Sequence, residues 1–146
     1  MYYSTKNYPP SLGLSAVFRQ WRADSHCRRL HGYALGFRFR FAATSLDENG
    51  WVVDFGGLKK LKEVLVDQFD HRVLVARDDP QMELLLQLSE FDVASINVVE
   101  RTGCEAFASW MFGVASAIVN DGRVRVISCE CYEHEANSAI YEELLP

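Results

Sequence analysis

No apolar run in these 146 residues approaches the roughly 20 that a helix needs to cross a bilayer. The opening residues, Met1-Tyr2-Tyr3-Ser4-Thr5-Lys6, also lack the apolar core of a secretory signal. The expectation is a cytoplasmic protein with no membrane partner. Positive charge is short as well: 15 Lys and Arg stand against 20 Asp and Glu, a net charge of −5. Adhesion to nucleic acid rests on clustered cations that neutralise phosphates, so no nucleic-acid partner is expected. Internal repeats and low-complexity segments are absent. With 49% apolar and 24% charged residues, the chain is long enough to fill one core and too short for two ordinary domains. Residues 1–146 therefore read as a single domain.

Cysteine and histidine are scarce, four of each, so their placement carries weight. In a reducing compartment four cysteines do not imply a disulfide framework. Cys129 and Cys131 alternate along an apparent strand and read as small apolar fillers of one face. Cys27 differs. It follows His26 and precedes Arg28 and Arg29 in a polar loop, where neighbouring cations favour the basic, nucleophilic thiolate. Asp70-His71 follows a helical stretch, and a carboxylate there can fix the imidazole tautomer and raise its basicity. Thr102-Gly103-Cys104-Glu105 opens an apolar run with capping-box spacing, and a helix start of this kind also favours an anionic ligand. Glu133 ends a strand; if buried, it demands a donor such as a ligand's amino group and ring N–H. No turn of the sort that presents the nucleophile of a cysteine–histidine hydrolase is recognisable.

The periodicity predicts the elements. From Tyr33 to Phe41, Leu35, Phe37, Phe39 and Phe41 point one way while Gly36, Arg38 and Arg40 point the other, the pattern of a half-buried strand. Residues 12–18 read as its antiparallel partner, and 19–29 as a loop carrying Cys27. After the turn cluster Asp47-Glu48-Asn49-Gly50, Trp51-Val52-Val53 reads as a short strand and Asp54 as the cap of a helix running to about Gln68. That helix buries Leu58, Leu61, Val64, Leu65 and Phe69 and wets Lys59, Lys60 and Lys62. A second long helix runs from Gly103 to about Val119, with Phe107, Trp110, Met111, Val114 and Ile118 inward. Asn120-Asp121-Gly122 then turns the backbone into a last strand, 124–132. Between the helices lie a short helical stretch, 82–88, and a strand, 93–99. The fold class is α+β: an antiparallel sheet with two long helices packed on one face.

Several of these segments, taken in order, carry a family resemblance. Cys27-Arg28-Arg29-Leu30-His31-Gly32, Trp51-Val52-Val53-Asp54-Phe55-Gly56-Gly57-Leu58-Lys59, Phe69-Asp70-His71, Thr102-x-x-Glu105 and Glu133, eight positions before Tyr141, together resemble the 6-pyruvoyltetrahydropterin synthase / 6-carboxytetrahydropterin synthase family over most of residues 14–141. The resemblance implies a tunnelling T-fold whose sheets close into barrels as trimers that stack into hexamers, with sites at subunit junctions. The piece at about 76–100 reads as an elaboration on it. It further implies a lyase that converts 7,8-dihydroneopterin triphosphate to 6-carboxytetrahydropterin, losing triphosphate and acetaldehyde on the route to queuosine and other 7-deazaguanines. The 6-pyruvoyl product and a non-catalytic pterin- or purine-binding protein are the alternatives. Carried onto this sequence, the resemblance makes Cys27 the base, Asp70 and His71 the proton relay, Glu133 the pterin anchor and Glu105 an auxiliary contact.

The implied cofactor is zinc held by three histidines, and here the sequence departs from the pattern. His31 remains, while Phe18 and Tyr33 stand at the other two positions. A phenyl ring supplies no ligand, and catalytic zinc generally takes three from the protein. That leaves zinc in doubt, with His26 as a substitute ligand and Tyr33 or Cys27 able to coordinate if deprotonated. Arg19, Arg22, Arg28 and Arg29 cluster near the thiol as candidate partners for anionic charge.

Overall fold

A computed structural model describes residues 1–144. Its strands are β1 (Tyr2–Tyr8), β2 (Leu14–Phe18), β3 (His31–Ala43), β4 (Arg72–Ala76), β5 (Ile96–Val99), β6 (Val124–His134) and β7 (Asn137–Glu142). Its helices are α1 (Lys59–Phe69), α2 (Met82–Glu90) and α3 (Cys104–Val119). The sheet runs β5-β4-β2-β3-β6-β7, with β1 also on β3. Because β3 is long, two strands share one of its edges: β2 pairs with residues 31–35 and β1 with residues 37–43, while β6 takes the other edge. Gly36 marks the seam. The turn at Pro10–Leu12 joining β1 to β2 passes so close that a Cβ at Gly36 would lie 2.6 Å from Pro10 Cδ.

The alternation along β3 is as the sequence predicts. Leu35, Phe37, Phe39 and Phe41 are fully buried, and burying each is worth roughly 1.5–3 kcal/mol. α1 and α3 cover this face: Phe69 of α1 lies 4.9 Å from Phe37 and 5.2 Å from Phe107 of α3, ring centre to ring centre. Phe107 in turn meets Phe18 of β2 edge-on at 5.2 Å. These aromatic contacts tie both helices to the inner strands.

The α+β class holds, but the sheet is mixed, not antiparallel. β2 pairs β4 in parallel and β4 pairs β5 in parallel, with α2 as the crossover between the latter two. Parallel neighbours need such a long connection, so the stretch after Asp70-His71 is a βαβ unit that widens the sheet. Trp51-Val52-Val53 is not a strand. The Arg123 guanidinium donates to the carbonyls of Ser45, Trp51 and Val52, and Asp47 accepts the Trp51 N–H, so this backbone is satisfied without a neighbouring strand. On α3 the inner face is Cys104, Phe107, Ala108, Met111 and Ala115, whereas Trp110 is 45% exposed and Val114 and Ile118 are half-buried. This helix is apolar nearly all round, so apolarity alone could not choose its face. Small alanines let it approach the sheet closely. The capping box does not form either: the Thr102 hydroxyl donates to the Arg19 carbonyl at 2.8 Å, and Gly103, at φ 111°, leads into the helix. Within the described residues the sheet is open at β5 and β7. No described helix is long and apolar enough to cross a membrane.

Candidate functional site

The register of β2 on β3 sets Phe18 opposite His31, and Tyr33 falls on the same face two residues on. The three rings form a triangle with centre-to-centre distances of 5.6 Å, 5.9 Å and 5.3 Å. The loop from Arg19 to Leu30 brings Cys27 to this corner. There the Gln20 N–H donates to the Cys27 carbonyl at 2.9 Å, and the Ser25 hydroxyl accepts the Cys27 N–H at 3.3 Å. From the other side come Glu133 near the end of β6, Asn137 to Ala139 of β7 and Gly103 to Glu105 at the start of α3. Together they enclose a cavity of about 240 Å³. A cleft of about 760 Å³ adjoins it, sharing Gln20 and Glu105 and adding Trp21, Arg22 and Arg101. Of the residues that the sequence singles out for catalysis or substrate binding, Cys27, Glu105 and Glu133 meet here beside His31. Asp70 and His71 do not line this cavity.

Hydrogen bonds give these groups their states. The Arg29 carbonyl can only accept, so His31 donates its Nδ1–H to it at 2.7 Å and Nε2 is the nitrogen left free. Glu133 accepts from Asn137 Nδ2 at 3.2 Å. Burial raises the Tyr33 phenol above its ordinary pKa, and the negative charges of Glu133 and Cys27 add to the rise. Tyr33 is therefore a neutral donor near neutral pH, not a phenolate. Burial likewise pushes the Cys129 and Cys131 thiols up, as befits core fillers.

This donor set does not fit a three-histidine zinc site. The three positions that would converge on the metal do converge, but they bring one imidazole, one phenol held protonated and one phenyl ring. Among the described residues no group of three or more His, Cys, Asp and Glu is arranged to hold a metal ion. His26 lies exposed in the single turn His26–Arg28 and does not line the cavity.

Asp70 and His71 sit at the opposite end of β2. His71 donates its backbone N–H to the Ser15 carbonyl at 2.7 Å, and Asp70 accepts the Ser15 N–H at 3.1 Å, so the pair is fixed beside the start of the strand. From Ser15 to Phe18 is three residues of strand, roughly 10 Å at about 3.3 Å per residue, and Cys27 lies beyond Phe18. The two side chains are nonetheless hydrogen-bonded to each other. Asp70 accepts the His71 Nδ1–H at 2.9 Å, leaving Nε2 as the basic nitrogen on a side chain that is 84% exposed. His71 also holds φ at 55°, a left-handed conformation that costs a β-carbon-bearing residue of order 1 kcal/mol or more. For Asp70, burial pushes the carboxyl up, but the bonds from Ser15 and His71 outweigh it and leave the group below its usual range.

Sequence reasoning missed Gln20 and Asn137. Gln20 fixes the Cys27 loop through its backbone and reaches the Thr102 carbonyl through its side chain at 2.8 Å. Asn137 belongs to β7, whose residues are mostly exposed and show no alternation that would reveal a strand. The short polar run Glu135-Ala136-Asn137 before it was the one available signal of a turn.

A family model described as "6-pyruvoyl tetrahydropterin synthase" matches residues 12–144. Among curated proteins, the chain is 24% identical to a 6-carboxy-5,6,7,8-tetrahydropterin synthase of Aquifex aeolicus over 90% of this chain and 85% of that one. It is 37% identical to the enzyme of the same name from Rickettsia conorii over 40% of this chain, a match that spans only 44% of the relative. Among solved structures, an uncharacterized protein of Wolinella succinogenes superposes with a TM-score of 0.85 at 20% identity, covering 98% of each chain. The 6-pyruvoyl tetrahydropterin synthase of Caenorhabditis elegans does so at 0.62 and 17% identity, covering 98% of this chain and 94% of that one. These structural likenesses show a shared fold.

Proposed function

We propose, since the chain belongs to the 6-pyruvoyl tetrahydropterin synthase family, that it is a lyase acting on 7,8-dihydroneopterin triphosphate to give 6-carboxytetrahydropterin with loss of triphosphate and acetaldehyde. The observation that supports this best is the meeting of Cys27, Glu133, Glu105 and His31 around one cavity, from loop, strand end and helix start. In this reading Glu133, steadied by Asn137, accepts the amino and ring N–H groups of the pterin edge. The Cys27 thiolate, beside Arg28 and Arg29, removes a proton from a carbon of the substrate's side chain. The Tyr33 hydroxyl, held protonated by its surroundings, is the donor available to an oxygen that gains charge as that proton leaves. The adjoining cleft with Arg22 and Arg101 takes the triphosphate.

Asp70 and His71 then act from another copy of the chain. A cavity of about 240 Å³ is smaller than the roughly 300–1,000 Å³ of usual ligand sites, and the open sheet leaves edges for a neighbour. The exposed His71 Nε2 of one copy relays protons to the Cys27 of the next, within a trimer or hexamer. Incubating the purified protein with 7,8-dihydroneopterin triphosphate should release triphosphate and acetaldehyde in equal amounts. Triphosphate without acetaldehyde would assign the 6-pyruvoyl product instead.

One observation favours a second reading. Phe18 and Tyr33, at the positions of two implied zinc ligands, suit a protein that binds a pterin or purine without turning it over. Saturable binding with no product would establish it.

A further inference from the structure

The segment between Ala76 and Glu100 had no evident purpose in the sequence. In the structure its first turn reaches the loop that carries Cys27. Asp79, whose side chain is only 2% exposed, accepts two bonds from one guanidinium: Arg19 Nε at 2.8 Å and Arg19 Nη2 at 2.5 Å. The third arm of that guanidinium, Nη1, donates to the Arg28 carbonyl at 3.1 Å. The next residue, Gln20, holds the Cys27 carbonyl through its N–H at 2.9 Å. The two carbonyls that follow the thiol's α-carbon are thus both bound by the Arg19-Gln20 dipeptide, and Asp79 fixes the side chain that binds one of them. Beside it Asp78 accepts from Trp21 Nε1 at 3.2 Å and Arg22 Nη2 at 2.9 Å, and Arg22 stacks on Trp21 at 3.9 Å. Asp79 is itself held, since its Oδ1 also accepts the Gln81 N–H at 2.8 Å.

We propose that Asp79 is a positioning residue for the Cys27 thiol, acting through the fork of Arg19, and that this is what the βαβ unit contributes to the site. The catalytic consequence rests on Cys27 being the base of the proposed reaction; the positioning itself does not. A planar fork is required, because two of its arms face the carboxylate while the third faces a carbonyl. Lysine at position 19 could neutralise Asp79 without spanning both.

The test compares wild type with Asp79→Asn and, as a milder change that keeps the buried charges paired, Arg19→Lys. Three readings are taken on the folded proteins: hydrogen exchange by peptide, the rate at which iodoacetamide labels Cys27, and steady-state kinetics with 7,8-dihydroneopterin triphosphate. Exchange should quicken in residues 19–29 and stay unchanged in β3 and α3. Cys27 labelling should rise at least about fivefold as the half-buried thiol is freed, while kcat falls tenfold or more with KM within about twofold. A faster thiol in a slower enzyme is what loss of aim produces, and mere loss of stability would instead quicken exchange everywhere. Unchanged exchange and labelling at Cys27 in either folded variant overturns the proposal. If wild type itself gives no product but labelling and local exchange respond as stated, the positioning stands and the proposed reaction falls.

Discussion

The two ends of β2 are built differently. At the Phe18 end the backbone wraps a small cavity with groups drawn from residues 18 to 139, and its loop is bolted down by a buried ion pair. At the Ser15 end, Asp70 and His71 are fixed to the strand by two backbone bonds, but the working face of the imidazole is open. In the proposed reading, one end holds the base and the pterin anchor without the relay, and the other holds the relay without a thiol beside it. The proposed reading completes such a site by bringing unlike ends of two copies together, and it would give a use to an exposed histidine held at φ 55°.

The sharpest way to break this comparison is to disable each end separately. Cys27→Ala should lower kcat/KM about 10³-fold and His71→Ala about 10²-fold, the range of a lost base or relay, with unchanged circular dichroism. Co-expressed in equal amounts, the two inactive variants should recover about a quarter of wild-type activity, because one site in four then combines an intact thiol with an intact imidazole from different copies. No recovery would mean that both groups act within one copy. Phe107 packs against Phe18 near one end and Phe69, next to Asp70, near the other, so Phe107→Ala should destabilise by about 3–5 kcal/mol. Urea unfolding would show it, and a loss below about 1 kcal/mol would show that the two ends do not share this support.

Acid should affect the two ends unequally. The bonds from Arg19 hold the Asp79 carboxyl below its usual range, ahead of the opposing effect of burial. A carboxyl depressed on folding contributes stability in full above its unfolded value of about 3.9 and loses it as pH falls through the folded value. Asp79→Asn should therefore cost about 3 kcal/mol at pH 7, a figure typical of breaking one side of a buried pair, and the gap from wild type should narrow below about pH 4. Asp70 titrates in the same direction, but as a more exposed group its Asn variant should show a smaller gap. Equal gaps would erase the distinction between a bolted end and an open one. The smallest effect belongs to Tyr33→Phe. Removing one neutral donor should lower kcat about tenfold and leave pterin affinity within about threefold, and an unchanged kcat would remove the hydroxyl from the chemistry.

Much of the site was legible because its chemistry is local. Cys27 with its cations, the adjacent Asp70-His71 and the strand-end Glu133 each announce themselves through neighbours one to four residues away. The strand 33–41 was equally plain, since a buried face of four large apolar residues alternating with arginines admits one reading. β1 and β7 were not, because edge strands that bury little carry no period. The parallel pairing of β2, β4 and β5 was hidden for a different reason: direction in a sheet is set by connections, and no residue of Arg72–Ala76 encodes which neighbour it will meet. The capping box failed for a third reason. The helix is capped at Gly103, one residue past Thr102, and the Thr102 hydroxyl donates instead to the Arg19 carbonyl, which is far away in the sequence.

By itself, then, the sequence determined the class of the fold, the burial of β3, the candidates for the reactive groups and the presence of Phe18 and Tyr33 at two implied metal-ligand positions, all properties of residue type and short-range order. Tertiary structure alone decided that Cys27, His31 and Glu133 share a cavity while Asp70 and His71 lie at the far end of a strand, and that Asp79 fixes the loop of the thiol. Those relations depend on how distant segments pack, and packing is settled by the whole core at once.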